Sequence, residues 1–258
     1  MRELAAEVGL LARRSVTRTV RQPALVVPTI IFPLFFLALN ASGLDAATKI
    51  PGFPAKSYLD FAIVVPFMQG ALFASTTAGT ELANDIETGF LNRLQLTPLR
   101  GPAILAGQMA GAVLLALLGA LVYLAVGLLA GVTFASGAGG VLVLLVLAVV
   151  IAIGFASIGA FFAARTGSSQ AVQGMFPLIF VLFFLSSMSM PRNLIAVDWF
   201  RTVATWNPIS YLVEGLRSLV ISGWDGAALA KGFGAALGIL VLATLAASAS
   251  LRTRMART

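Results

Sequence analysis

The sequence contains neither cysteine nor histidine. Their absence excludes disulfides, thiol nucleophiles, the usual zinc ligand sets and imidazole acid–base chemistry, a filter that few enzyme mechanisms pass. Charge is also scarce. Asp, Glu, Lys and Arg make up 10% of the chain, against roughly 25% in an ordinary soluble domain. Lysine occurs only at positions 49, 56 and 231. None of these stands in a G-x-x-x-x-G-K-[ST] setting, so the chain has no nucleotide-binding P-loop of its own and is not expected to hydrolyse ATP. The interiors of the apolar runs are nearly free of ionisable side chains, which ion-coupled carriers and pumps need at membrane depth. Any driving energy for transport must therefore come from outside this chain.

What is present is apolar surface. Hydrophobic residues make up 59% of the sequence and the mean hydropathy is +0.97, which places the chain among all-α polytopic membrane proteins, as one membrane domain over residues 1–258. Six apolar runs, at 24–40, 58–78, 103–132, 140–162, 171–189 and 228–251, each approach the ~20 residues that cross a bilayer core. No internal repeat accompanies them, which argues against an inverted-repeat carrier.

The net charge of +7 would suggest nucleic acid in a soluble protein, but here the positive-inside rule accounts for it and no nucleic-acid partner is expected. Six spans put both termini on one side. That side carries 11 Lys or Arg, in residues 1–22, the 81–102 loop, Arg165 and the tail, against 6 on the other. Both termini and the 81–102 loop are thereby assigned to the cytoplasm.

Residues 1–22 combine Arg2, Arg13, Arg14, Arg18 and Arg21 with Leu4, Val8, Leu11, Ala12 and Val16 at near-helical spacing. This predicts an amphipathic interfacial helix, apolar side down, with arginines reaching anionic membrane lipids. A signal peptide is the competing reading, which the long basic region with Glu3 and Glu7 disfavours.

Residues 81–108 interrupt the apolar pattern. Leu82, Ile86, Phe90 and Leu94 recur every fourth residue, so a helix here carries one apolar stripe, with Asp85, Glu87 and Thr88 elsewhere on its circumference. Gly89 predicts a bend, and Thr97-Pro98 a stop. The segment reads either as a solvated connector or as a docking surface. In the latter case the apolar stripe rests on the chain itself and Asp85, Glu87 and Thr88 face a partner.

Residues 191–226 form the large external feature. Asn207 can cap a helix that begins at Pro208, whose apolar face comprises Ile209, Leu212, Val213, Leu216, Leu219 and Val220. Too short to span, it is expected to be a re-entrant or interfacial hairpin, or else a lid with no part in transport. Glu214 and Arg217, three apart, can pair on its polar side, and Trp199, Trp206, Tyr211 and Trp224 suggest an aromatic belt.

Three features together carry a family resemblance: Glu81 with Glu87-Thr88-Gly89 and Leu94-Gln95-Leu96-Thr97-Pro98-Leu99; Trp206-Asn207-Pro208-Ile209-Ser210-Tyr211 followed by Glu214-Gly215-Leu216-Arg217; and their order among a basic helix and six spans. The sequence resembles the membrane subunits of type 2 ATP-binding-cassette exporters, most of all small bacterial permeases of the daunorubicin-resistance kind. The family often has a basic residue and a Gly-Thr pair early in its loop, whereas here the order is Glu87, Thr88, Gly89. The resemblance implies a permease subunit in the bacterial cytoplasmic membrane. It would pair with a second permease, identical or homologous, and with two copies of a cytoplasmic ATPase that carries the ATP and Mg; this chain itself binds no cofactor or metal. It implies that Glu81, Asp85, Glu87, Thr88, Gly89, Leu94, Thr97 and Pro98 form the coupling segment. By position it suggests Asn40, Phe67, Gln69, Phe73, Phe180, Phe183 and Phe184 for the substrate pathway, and an exported drug, lipid or polyketide-like molecule of hydrophobic or amphipathic character. The alternative is a self-sufficient secondary carrier or channel; an intramembrane hydrolase lacks a plausible nucleophile and base.

Overall fold

The computed structural model describes residues 2–95 and 101–255. They are helical, with no β-strand among them. The helices are α1 (Arg2–Val20), α2 (Pro23–Gly43), α3 (Tyr58–Ala62), α4 (Val64–Glu87), α5 (Phe90–Gln95), α6 (Gly101–Leu129), α7 (Gly137–Thr166), α8 (Ser169–Phe184), α9 (Asp198–Trp206), α10 (Pro208–Ile221) and α11 (Gly226–Met255).

The bundle is organised around α4, which packs against α2, α6, α7 and α8 and is buried over most of its length. Its contact with α7 is backbone against backbone. A Cβ added at Gly159 would lie 1.8 Å from the Ser75 carbonyl oxygen, and one at Gly79 would lie 2.8 Å from the Gly159 carbonyl oxygen. In lipid, where apolar side chains gain little from meeting each other, such small-residue crossings are what let helices pack closely. α11 lies on α7 and α10, and α1 lies on α6.

Five helical segments among the described residues are long and apolar enough to cross a membrane: Val26–Gly43, Tyr58–Glu87, Ala103–Leu129, Gly137–Thr166 and Gly226–Met255. The fifth apolar run of the sequence behaves differently. α8 has 16 residues, about 24 Å at 1.5 Å per residue, short of a ~30 Å hydrocarbon core. Beyond Phe184 the backbone turns, and Ser187 N donates to Ser210 Oγ at 3.0 Å. The apolar run therefore continues to residue 189 as a turn held by α10.

The expected cap and apolar face of α10 are present. Asn207 Oδ1 accepts from Ile209 N at 3.0 Å, Pro208 is the first helical residue, and all six residues of the expected apolar face are buried. Of the expected apolar face of α1, Leu11 is buried, and the side chain of Leu4 lies outside the described residues. Among the described side chains of α1, Leu11, Ser15 and Thr19 are buried, one stripe at i, i+4 and i+8 turned to α6, while Val8, Ala12 and Val16 are half-buried. The helix is thus packed on α6 along this stripe.

Candidate functional site

α4 does not end where the polar stretch begins. It runs unbroken through Glu81 to Glu87, because Leu82 and Ala83 remain fully buried and hold the last turns against the bundle. Thr88 follows, its hydroxyl donating to the Asn84 carbonyl at 2.7 Å. Gly89 adopts φ +70°, the left-handed region in which a glycine carries no Cβ penalty. α5 then starts in a new direction. The expected bend at Gly89 is therefore an elbow between two helices. Of the apolar stripe, Leu82 is buried, and Ile86, Phe90 and Leu94 are half-buried against the chain. Glu87, Thr88, Asn92 and Arg93 are exposed. Glu87 Oε1 accepts from Ser169 N at 2.8 Å and from Ser169 Oγ at 3.1 Å, which ties the elbow to the start of α8. Thr97 and Pro98 lie outside the described residues.

The acidic residues inside α4 have another role. Glu81 and Asp85 are 5% and 2% exposed and both face α1. Ser15 Oγ donates to Glu81 Oε2 at 2.8 Å. Thr19 Oγ1 shares its proton between Glu81 Oε1 and the Ser15 carbonyl, both at 3.0 Å. Arg14 clasps Asp85 with two bonds of 2.8 Å, the bidentate geometry a guanidinium favours. That hydrogen bonding raises the Arg14 pKa. Arg18 adds a bond of 3.3 Å and Gln108 Nε2 donates to the same carboxylate. The Arg14 guanidinium also lies 3.9 Å over the Phe90 ring. One network thus joins α1, the end of α4, the elbow and α6. α1 can approach because Gly111 has no side chain: a Cβ there would lie 2.4 Å from Thr19 Oγ1, and Gly111 N instead donates to Ser15 Oγ at 3.1 Å.

This corrects the expectation that Asp85 faces outward with Glu87 and Thr88. A carboxylate buried at the end of an apolar helix needs cationic and hydrogen-bonding partners, and α1 supplies them. Sequence reasoning missed Arg14, Arg18, Ser15, Thr19 and Gln108 as a group. The four-residue spacing of Leu11, Ser15 and Thr19 was the available signal.

The proposed pathway residues divide. Phe73, Phe180 and Phe184 join Phe32, Phe36 and Phe176 in a closed circuit of ring contacts, each between 4.9 and 6.3 Å from centroid to centroid. It spans α2, α4 and α8. Phe32, Phe184 and their neighbours Ile31, Phe35 and Val181 are exposed, so this side of the bundle presents a broad apolar face. Phe67 and Phe183 are not part of the cluster. Phe67 packs edge-on against Tyr123 of α6 and Phe183 against Phe155 of α7, both inside the core. Asn40 donates to the Phe36 carbonyl at 2.7 Å within its own helix. Gln69 is 1% exposed, and neither of its amide atoms has a hydrogen-bond partner among the described residues.

On the opposite end, the expected Glu214–Arg217 pair does not form. Glu214 accepts from Arg192 Nε at 2.7 Å, and the Arg192 guanidinium lies 4.7 Å over the Tyr211 ring. Arg217 is buried and donates to three carbonyl oxygens, those of Phe61, Ser187 and Met188, at 2.9 to 3.0 Å. Helical spacing places Glu214 and Arg217 near each other, but the buried carbonyls at the ends of α3 and α8 offer Arg217 three bonds at once. Tyr211 Oη donates to the Thr205 carbonyl at 2.7 Å, bracing α9 against α10. Asn207 Nδ2 donates to the carbonyls of Leu182 and Leu185 at 2.7 and 3.0 Å, so one residue caps α10 and terminates α8.

A bundle of long apolar helices with a basic N-terminal helix, an elbow after its second apolar segment and a short capped helix before its last defines an integral membrane protein of the permease type. A family model described as ABC-2 type transporter matches residues 6–221, and the chain belongs to that family. It is 26% identical to the daunorubicin resistance ABC transporter permease protein DrrB1 of Streptomyces coeruleorubidus, over 77% of this chain and 69% of that protein. It is 22% identical to the probable doxorubicin resistance ABC transporter permease protein DrrC of Mycobacterium tuberculosis, over 86% and 79%. With the putative transport permease ycf38 of Porphyra purpurea it shares 28% identity, over 83% and 74%.

Proposed function

We propose that this chain is the membrane subunit of an ATP-driven exporter. It resides in the cytoplasmic membrane with both termini inside, and its short α8 completes a sixth crossing together with the turn that follows it. Two such permeases, identical or homologous, work with two copies of a separate ATPase that docks on the elbow. The observation that carries this reading is the continuity of α4. A single helix leads from the middle of the bundle to Glu87 and ends at the Gly89 elbow, beside the exposed Glu87 and Thr88, so a push on α5 moves a rigid rod beside the aromatic cluster. The names of the relatives support a hydrophobic or amphipathic cargo, as do the rings on α2, α4 and α8, which offer aromatic faces and few hydrogen bonds. Those helices would face the second permease, with the α9–α10 hairpin at the outer surface.

The test uses the permease reconstituted with its co-purifying ATPase. Glu87→Lys and Arg93→Glu change exposed elbow residues and are expected to lower transport-coupled ATP hydrolysis severalfold, Arg93→Glu at unchanged thermal stability and Glu87→Lys with only the small loss that giving up the exposed bonds to Ser169 entails. Normal coupling in both variants would place the docking site elsewhere. Ion-gradient transport by the chain alone in liposomes would replace this reading with that of a secondary carrier.

A further inference from the structure

A groove of about 910 Å³ opens where α6, α7 and α11 meet, with α1 across one end. Its walls include Met109, Val113 and Leu117 of α6, Ile153 of α7 and Leu245 of α11, with Val16 of α1 at the end. The polar lining consists of Thr244 and Ser248, and the Thr244 hydroxyl is already within 2.9 Å of Ser157 Oγ. A ligand lying here meets alkyl surface along its length and finds almost no hydrogen-bond partner, which selects a hydrocarbon chain.

The length of the groove selects further. It follows α6 from Leu105 to Leu117, about 18 Å at 1.5 Å per residue, close to one leaflet of a ~30 Å hydrocarbon core. The leaflet is the one that contains α1. At that end two exposed cations flank the groove, while the carboxylates packed against α1, Glu81 and Asp85, are buried on its other side among their own partners. Arg13 stands one helical turn before Val16, and Arg252 one turn after Ser248; both are exposed, and residues three or four apart on a helix are surface neighbours. Arg14 and Arg18, by contrast, are turned to Asp85. No carboxylate occurs anywhere on α6, α7 or α11, so nothing on the three walls opposes an anion at the mouth.

We propose that this groove is a binding site for one anionic phospholipid, an acyl chain lying along α6 and the phosphate held between Arg13 and Arg252. The lipid fills the space between α1 and α11 that no protein side chain occupies, and so sets the resting position of α1, the helix that carries the clasp on Asp85. The groove shares no residue with the aromatic cluster or the elbow. The inference therefore stands or falls separately from the exporter reading.

The chain purified in mild detergent, mixed with phosphatidylglycerol or phosphatidylcholine of identical acyl chains, is examined by native mass spectrometry. Wild type is expected to retain one phosphatidylglycerol per chain in preference to phosphatidylcholine. Arg13→Gln combined with Arg252→Gln removes two surface cations, each worth roughly a fivefold gain for anionic lipid, and should lower phosphatidylglycerol retention about tenfold or more, to the phosphatidylcholine level. Val113→Phe, which fills the groove, should reduce retention of both lipids. Soluble glycerol phosphate should not displace the lipid, because it lacks the chain. Equal retention of the two lipids by wild type, or undiminished retention in the double arginine variant, would overturn the proposal. So would a Val113→Phe protein that keeps its lipid but changes its oligomeric mass, which would assign the groove to a second copy of the chain. The arginine variants alter exposed side chains only, so they decide the matter even where Val113→Phe fails to fold.

Discussion

Arg217 grips Phe61 twice: its Nε donates to the Phe61 carbonyl at 3.0 Å while its guanidinium carbon sits 3.5 Å over the Phe61 ring. With the bonds to Ser187 and Met188, one side chain of α10 fastens the end of α3 to the turn after α8. Burial pushes its pKa down to about 9, which leaves it a cation at neutral pH. Three carbonyl dipoles and a π face surround it in place of a directly bonded carboxylate, with Glu214 acting only through space.

Removing that cation strands three carbonyl groups in a buried site. Each unsatisfied group costs about 1–3 kcal/mol, so Arg217→Met is expected to destabilise the protein by at least ~3 kcal/mol. Thermal unfolding in detergent measures it. Arg217→Lys keeps the charge but not the planar fork, and should recover less than half of the loss. Full recovery would show that charge alone matters at this position.

The clasp between α1 and α4 predicts a local effect. Asp85→Asn removes the anion that binds Arg14 and Arg18, whose side chains are 37% and 27% exposed and can turn to water. The expected cost is therefore about 1–2 kcal/mol, below that of a fully buried pair. Hydrogen exchange should rise in α1 and the elbow and remain unchanged in α10. Glu87→Gln, whose parent carboxylate is exposed, should leave α1 protected.

Helix crossing is tested by a matched pair of glycines. Gly159→Ala places a methyl 1.8 Å from the Ser75 carbonyl, so α4 and α7 must separate, and overpacking of this kind costs about 1–3 kcal/mol or more. A Cβ at Gly174 meets nothing within 4 Å, and Gly174→Ala should be neutral or stabilise α8 by up to ~1 kcal/mol. Comparing their thermal midpoints checks both.

Gly89→Ala puts a side chain at φ +70°, where an L-residue pays about 1–2 kcal/mol. The strain falls on the elbow alone. We expect a modest loss of stability and a larger loss of ATPase coupling in the reconstituted complex, measured as transport per ATP hydrolysed.

Much of this protein was legible along the chain because the informative relationships are short in sequence. Asn207 and Pro208 start α10, its apolar face is periodic, and Gly89 breaks a helix, all through contacts within a few residues. The cationic partners were not legible in this way. Arg217 has Glu214 three residues away, and local spacing pairs them, yet Arg217 bonds to a carbonyl 156 positions distant. Asp85 looked like an exposed acid on a polar helix face, but its partner Arg14 lies 71 positions earlier. The phenylalanines show the same division: their chemistry is evident in the sequence, but not which of them meet. α4 turns Phe73 toward α2 and α8, and Phe67 toward α6.

The sequence by itself determined that this is an all-helical membrane protein, because hydropathy and the scarcity of charge follow from composition and local pattern. Only the tertiary structure decided which charges are free to meet a partner. In a low-dielectric interior each buried charge must be matched, and the match depends on which helices the fold brings together.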